Sequence, residues 1–122
     1  MICSTDCHDT LNHRMYAVGI PESTSAPVKP VSYSVVKSAL LGLTRYLTTF
    51  WSLIPVRCNA LVPGSVGGTH SPALTRDLTS RIPLARLAEP HEYQGALVFL
   101  LSDASAYMTG ANLVMDGGRT AW

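Results

Sequence analysis

The chain has 122 residues, with nine Lys or Arg against eight Asp or Glu and a formal net charge of +1. Its basic residues are scattered singly, which excludes the charge footprint of a nucleic-acid or anionic-membrane binder. No apolar run, Ala96-Leu97-Val98-Phe99-Leu100-Leu101 included, approaches the length of a membrane span. Hydrophobic residues make up 47% of the chain and mean hydropathy is +0.19. That is more apolar surface than a unit of this size covers easily, so marginal stability or self-association is expected. The first residues show no basic region followed by an apolar stretch, so no secretory leader is expected, and a soluble cytoplasmic protein with three reduced cysteines is.

In chain order, Cys3, Cys7, His8 and His13 carry zinc's preferred ligand atoms, but their spacing matches no closed four-ligand site, and no metal is expected. Asn12 to Ser32, with Pro21, Pro27 and Pro30 around Glu22-Ser23-Thr24-Ser25, reads as an extended loop. A helix follows, in which Val36, Ala39, Leu40, Leu43, Leu47 and Phe50 recur at three- and four-residue spacing as one apolar stripe. At its head stand Tyr33 and Lys37, four apart and so on one face. An ammonium held beside a phenol favours the phenolate, which is the property a proton donor to a carbonyl needs near neutral pH.

Val56 to Val62 reads as a short buried strand running into the turn Pro63-Gly64, at the sheet edge where open α/β folds bind ligands. Ser65 to Ser80, containing Gly67-Gly68 and then Thr69-His70-Ser71-Pro72, has the composition of a mobile loop, and His70 reads as an ordinary exposed residue of it. Arg81-Ile82-Pro83-Leu84-Ala85-Arg86 leads to Glu89-Pro90, which opens a helical run to Ser102 with Ala96, Leu97, Leu100 and Leu101 on its buried side. Ala111 to Asp116 is a final strand closed by Gly117-Gly118. Two or three strands with three helices would leave a parallel sheet with an open edge.

Five of these elements in one order resemble the C-terminal half of a short-chain dehydrogenase/reductase. They are the Tyr33-x-x-x-Lys37 helix, the Asn59-x-x-x-Pro63-Gly64 strand end, the Pro83-Leu84-x-Arg86 linker, the Leu101-Ser102-Asp103 helix exit and Asp116-Gly117-Gly118. The fold so implied is α/β, the C-terminal portion of a Rossmann-like doubly wound parallel sheet. It would form a single partial domain, with 1–32 an irregular lead-in and 33–122 the C-terminal half. The family's nucleotide-binding turn, Gly-x-x-x-Gly-x-Gly after a first strand, does not occur in the 122 residues, nor does its Asn-Ala-Gly segment. The expectation is therefore an N-terminally truncated member, with the nucleotide-binding half missing, and a chain that is inactive by itself.

A narrower resemblance is to family members found with nonulosonic (sialic-acid-type) sugar biosynthesis and flagellin modification. It rests on Ile2-Cys3-Ser4, Arg14-Met15-Tyr16 and Pro30-Val31-Ser32-Tyr33, with Cys7 where that pattern has Gly. The resemblance implies hydride transfer between NAD or NADP and a small hydroxyl or carbonyl compound. Tyr33 would pass the proton, Lys37 would bond the nicotinamide ribose, and Ser4, with Ser23 or Ser25 as alternatives, would hold the substrate oxygen. Pro63, Gly64 and Val66 would line the nicotinamide side, the Val66 amide meeting the carboxamide, and Thr69 would be a further polar contact. The loop from Ser65 to Ser80 would be the substrate lid. A small-molecule substrate, no nucleic acid, no membrane and a homo-oligomeric intact form complete the expectation. The alternative is a non-catalytic remnant or oligomerisation fragment unable to bind cofactor.

Overall fold

The computed structural model describes residues 31–121. Helix α1 spans Val31–Phe50, strand β1 Ala60–Pro63, helix α2 Pro72–Thr79, helix α3 Gln94–Leu101 and strand β2 Asn112–Met115, with short 3-10 turns at Pro90–Tyr93 and Asp103–Ser105. Among the described residues β1 and β2 form one parallel pair, Ala60 opposite Asn112 through Pro63 opposite Met115. The core is Leu41 of α1 against Ala60 and Val62 of β1, with Leu40 and Val114 packed around them.

The buried face of α1 therefore differs from the expected stripe. Leu41 and Thr44 are buried, whereas Val36, Ala39, Leu43 and Phe50 are exposed. Thr44 tolerates full burial because its hydroxyl donates to the Leu40 carbonyl, 2.9 Å away, so no polar group is stranded. A reading that followed apolar residues alone passed over it. The four exposed members of the stripe belong to a second apolar face, on which Tyr46 and Phe50 stack at 5.6 Å.

Strand β1 is shorter than expected, since Val56 is exposed and Arg57 to Asn59 satisfy their polar groups differently. The Arg57 guanidinium donates through Nη1 to the Ser105 carbonyl, the Ser105 hydroxyl and the Met108 carbonyl, at 2.9, 2.9 and 3.3 Å. Through Nη2 it reaches the Leu100 and Ser102 carbonyls at 2.9 and 3.2 Å. These carbonyls lie at the end of α3 and in the turn after it, so Arg57 adds a C-cap from another part of the chain to the backbone bonds already made there. Asn59 works alongside it, donating to the Met108 carbonyl at 2.8 Å and accepting the Ala111 N–H at 3.1 Å.

Part of the expected lid is helical. Ser71 accepts the Leu74 N–H on its side chain at 3.3 Å, and Pro72 sits in the first turn, where its missing N–H costs nothing. Ser-Pro thus opens α2 at a point that composition alone marked as loop. Leu101, expected on the buried side of α3, is exposed, while Ala96, Leu97 and Leu100 are half-buried.

The linker and the final turn lock together. Gly117 and Gly118 have φ of +68° and +89°, and a Cβ on either would come within 2.7 Å of Ile82 Cγ2 or 2.9 Å of Pro83 Cγ. Both the left-handed backbone and the close approach demand glycine there. Beyond the linker, Arg86 forms a two-pronged pair with Glu92, each bond 2.7 Å, and Glu92 also accepts the Glu89 N–H at 2.7 Å.

Replacing Arg57 with Met keeps the aliphatic stem but removes all five guanidinium hydrogen bonds to the stretch from Leu100 to Met108. Stability should fall by about 2–4 kcal/mol, read as a lower urea midpoint; an unchanged midpoint would show that solvent substitutes for the guanidinium. A second expectation concerns acid. The Arg86 guanidinium, then the Glu89 N–H, hold the Glu92 carboxyl down at about 2, from an ordinary value of 4.5. A depressed carboxylate stabilises the fold above its unfolded pKa and loses that contribution as pH falls toward the folded one. The urea-midpoint gap between the wild type and Glu92→Gln should therefore be full above about pH 5 and close progressively on titration to pH 2. A gap independent of pH would contradict the pairing.

Candidate functional site

Because β1 and β2 run parallel, their carboxyl ends share one edge, where Gly64 follows β1 and Asp116 follows β2. The two segments touch through backbone. Gly64 donates its N–H to the Met115 carbonyl at 2.7 Å, and a Cβ at Gly64 would lie 2.7 Å from the Asp116 Cα. Any side chain there would push the strand ends apart. Asp116 is itself buried, and its two carboxylate oxygens accept the Gly118 and Thr120 N–H groups, each at 2.9 Å, which fixes the turn that follows.

A cavity of about 180 Å³ opens at this edge, lined by Gly64, Ser65, Ile82, Tyr93, Met115 and Asp116 among others. Arg86 and Glu92 stand at it as a mutually neutralised pair. Burial pushes the Tyr93 hydroxyl above its ordinary value, so the group facing this side remains a neutral phenol.

Beyond Gly64 the chain pairs with the linker. Val66 lies opposite Ala88 in a parallel bridge, with the Ala88 N–H donated to the Ser65 carbonyl at 3.0 Å and the Gly67 N–H to the Ala88 carbonyl at 2.8 Å. Those two bonds use the groups flanking Val66 and leave its own N–H and carbonyl facing away from Ala88. The carbonyl is met from that side by His70 Nε2 at 3.1 Å. His70 is exposed, as expected, but it is engaged with the loop rather than idle. Thr69, the expected polar contact, is exposed and makes no side-chain hydrogen bond among the described residues.

On α1, Tyr33 and Lys37 come together as their spacing requires. The Lys37 ammonium stands 5.5 Å from the centre of the Tyr33 ring, and both residues are half-buried. This is a cation over an aromatic face, held by one helical turn. Ser4, with its alternatives Ser23 and Ser25, lies outside the described residues, as do Cys3, Cys7, His8 and His13. Among the described residues no three His, Cys, Asp or Glu gather as a metal site, and no helix is long and apolar enough to cross a membrane.

The chain has relatives among known proteins. A family model described as enoyl-(acyl carrier protein) reductase matches residues 17–120. The chain is 39% identical over 92 residues to L-rhamnose 1-dehydrogenase (NAD(P)(+)) of Azotobacter vinelandii, covering 70% of this chain and 36% of that protein. It is 34% identical over 100 residues to 2-dehydro-3-deoxy-D-gluconate 5-dehydrogenase of Dickeya dadantii, covering 77% and 40%. Among solved structures, the TT0495 protein of Thermus thermophilus superposes with a TM-score of 0.76 at 32% identity, over all of this chain and 46% of that one. A gluconate 5-dehydrogenase of Burkholderia cenocepacia, solved with NADP and tartrate, does so at 0.77 and 26% identity, over 99% and 44%. The chain spans 36–46% of the length of these relatives. Its parallel strands and helices are part of a Rossmann-like α/β fold, and the chain belongs to the short-chain dehydrogenase/reductase family.

Proposed function

We propose that the chain carries the proton-transfer and nicotinamide-facing side of an NAD- or NADP-dependent oxidoreductase acting on a sugar or polyol. The observation that carries this reading is the Tyr33–Lys37 pair, with the ammonium 5.5 Å from the ring centre. Residues 33–122 are the C-terminal half of the catalytic domain in this reading, and 1–32 its lead-in. The sugar or polyol class is supported by the names of the relatives, which include an L-xylulose reductase of Ambrosiozyma monospora and a D-arabinitol 2-dehydrogenase of Candida tropicalis. The narrower likeness to nonulosonic-sugar dehydrogenases falls within the same class and rests largely on residues before Val31.

The described residues fit a nicotinamide in two respects. Gly64 puts bare backbone against the end of β2, and the Val66 N–H faces away from its pairing partner. When bound, the cofactor supplies or takes the hydride. Tyr33 holds the hydroxyl proton that passes to the substrate oxygen, and Lys37 keeps a positive charge beside that phenol. Lys37 also offers donors to the cofactor's ribose, Val66 offers its N–H to the carboxamide, and Pro63 and Gly64 form the wall at the strand end. Ser4 is the proposed second donor to the substrate oxygen. The exposed apolar residues of α1 and α3, among them Val35, Val36, Phe50, Val98 and Leu101, support a homo-oligomeric assembly.

A second reading, an oligomer-forming fragment that holds no cofactor, is favoured by one observation, the lack of Gly-x-x-x-Gly-x-Gly in these 122 residues. Fluorescence titration of NADH and NADPH into the 122-residue protein separates the two. Saturable binding by the wild type, weakened at least about tenfold in Lys37→Ala, would favour the first reading, and in a form that turns over Tyr33→Phe should bind cofactor near-normally and lose about 10²–10⁴-fold of its activity on a sugar and polyol panel. No saturable binding to the wild type would favour the fragment. Retained turnover in Tyr33→Phe would remove Tyr33 from the mechanism.

A further inference from the structure

Tyr93 carries a hydroxyl that the scheme above does not use. The residue is only 8% exposed, and its Oη has no hydrogen-bond partner among the described residues. The Gly64 N–H faces the phenol oxygen, but it is given to the Met115 carbonyl at 2.7 Å. An N–H can in any case meet only a lone pair of the phenol, so the phenol's own hydrogen is left without an acceptor. Burial keeps that hydrogen in place by favouring the neutral form. A buried donor in this state is costly to keep, and it calls for an oxygen from outside the described chain.

The hydroxyl belongs to the wall of the cavity of about 180 Å³ at the strand ends, together with Ile82, Leu84 and Met115. An apolar cavity of about 150 Å³ accepts benzene, so this one has room for about six to eight non-hydrogen atoms. Its walls are set before any ligand arrives. Gly64 lies against the Asp116 backbone, and Ile82 is wedged where a Cβ on Gly117 would come within 2.7 Å of its Cγ2. Leu84 is 62% exposed and marks the open side, by which a ligand enters.

Charge and polarity narrow the occupant. The buried Asp116 carboxylate at this cavity repels an anion, and the Arg86 guanidinium that would attract one is closed on Glu92 through two bonds of 2.7 Å. The aliphatic walls suit hydrocarbon, and a sugar with a hydroxyl on nearly every carbon does not suit them. We infer that this cavity binds a small uncharged ketone or alcohol of about five to seven carbons, whose oxygen accepts the Tyr93 hydroxyl hydrogen and whose hydrocarbon body lies against Ile82, Leu84 and Met115. The site shares Gly64 with the proposed nicotinamide wall, but it is built without the cofactor and stands whether or not the cofactor binds. Its ligand is distinct from the sugar or polyol of the proposed reaction.

The test uses the 122-residue protein, ¹³C-labelled at Ile, Leu and Met methyl groups, as wild type and Tyr93→Phe. The probes are cyclohexanone, methylenecyclohexane, which has the same shape with CH₂ in place of the oxygen, and xylitol. Cyclohexanone should shift the Ile82, Leu84 and Met115 methyl signals saturably, with a dissociation constant about 5–10-fold higher in Tyr93→Phe, the worth of about one hydrogen bond. Methylenecyclohexane should bind both proteins equally, and xylitol should leave the three signals unmoved. Without a probe, the urea midpoint of Tyr93→Phe should equal or exceed that of the wild type, because the hydroxyl it removes has no partner. No saturable shift of those methyls with cyclohexanone overturns the site. Equal cyclohexanone affinity in the two proteins, or a lowered midpoint in Tyr93→Phe, overturns the donor role of Tyr93. Xylitol binding at the same methyls overturns the ligand class.

Discussion

Two strands of four residues cannot hold each other in register, and the side chains of Arg57 and Asn59 supply what the ladder lacks. A parallel pair needs a long crossover, and the chain from β1 to β2 passes through α2, the linker and α3 before it returns. Arg57 bonds carbonyls 43 to 51 residues away, and Asn59 binds on both sides of Gly110. The returning chain is thereby fixed before β2 begins, and the Ala60 N–H meets the Ala111 carbonyl at 2.9 Å as the first rung. Once that register is set, Gly64 must arrive beside Asp116. The bare backbone contact at the carboxyl edge, and the cavity next to it, follow from hydrogen bonds made at the opposite end of the strands.

What could be read from the sequence was whatever local chemistry decides. Pro90 in a first turn, Gly117-Gly118 after a strand and the four-residue spacing of Tyr33 and Lys37 each have one physical meaning, and the structure places all three accordingly. The misses share a cause, since each depends on a partner distant in sequence or on a polar group that satisfies itself. Thr44 is buried because its hydroxyl bonds back to Leu40, which a hydrophobic stripe cannot reveal. Arg57 looked like part of a strand because its five acceptors lie beyond residue 99. The Ser71-Pro72 helix start was legible in principle, but the glycines just before it made the whole stretch read as loop.

The second apolar face of α1 has a different standing from the first. Leu41 and Thr44 face β1, while Val35, Val36, Leu43, Tyr46 and Phe50 remain exposed on other sides of the same helix. Helix α3 has no fully buried residue, and Val98 and Leu101 are largely open. Stacking of Tyr46 on Phe50 removes little of that surface from water. Both helices therefore carry more apolar area than the described residues cover. The high hydrophobic fraction of the chain thus resides in identifiable helix faces rather than in an enlarged core.

The candidate site joins two parts of unequal stiffness. At the strand ends the geometry is over-determined: Gly64 is backed by Asp116, Asp116 is tied to Gly118 and Thr120, and Gly117 and Gly118 are wedged against Ile82 and Pro83. No residue in that set can shift without moving backbone, so the Pro63-Gly64 wall is a fixed reference. The stretch from Val66 to His70 has two backbone hydrogen bonds and one ring contact to define it, with two glycines in its middle. The Val66 N–H belongs to the peptide whose Ser65 carbonyl accepts the Ala88 N–H, so it stands at the boundary between the two kinds of support. Stiffness therefore falls away just past the Ala88 bridge, where side chains stop opposing the backbone and Gly67-Gly68 begin.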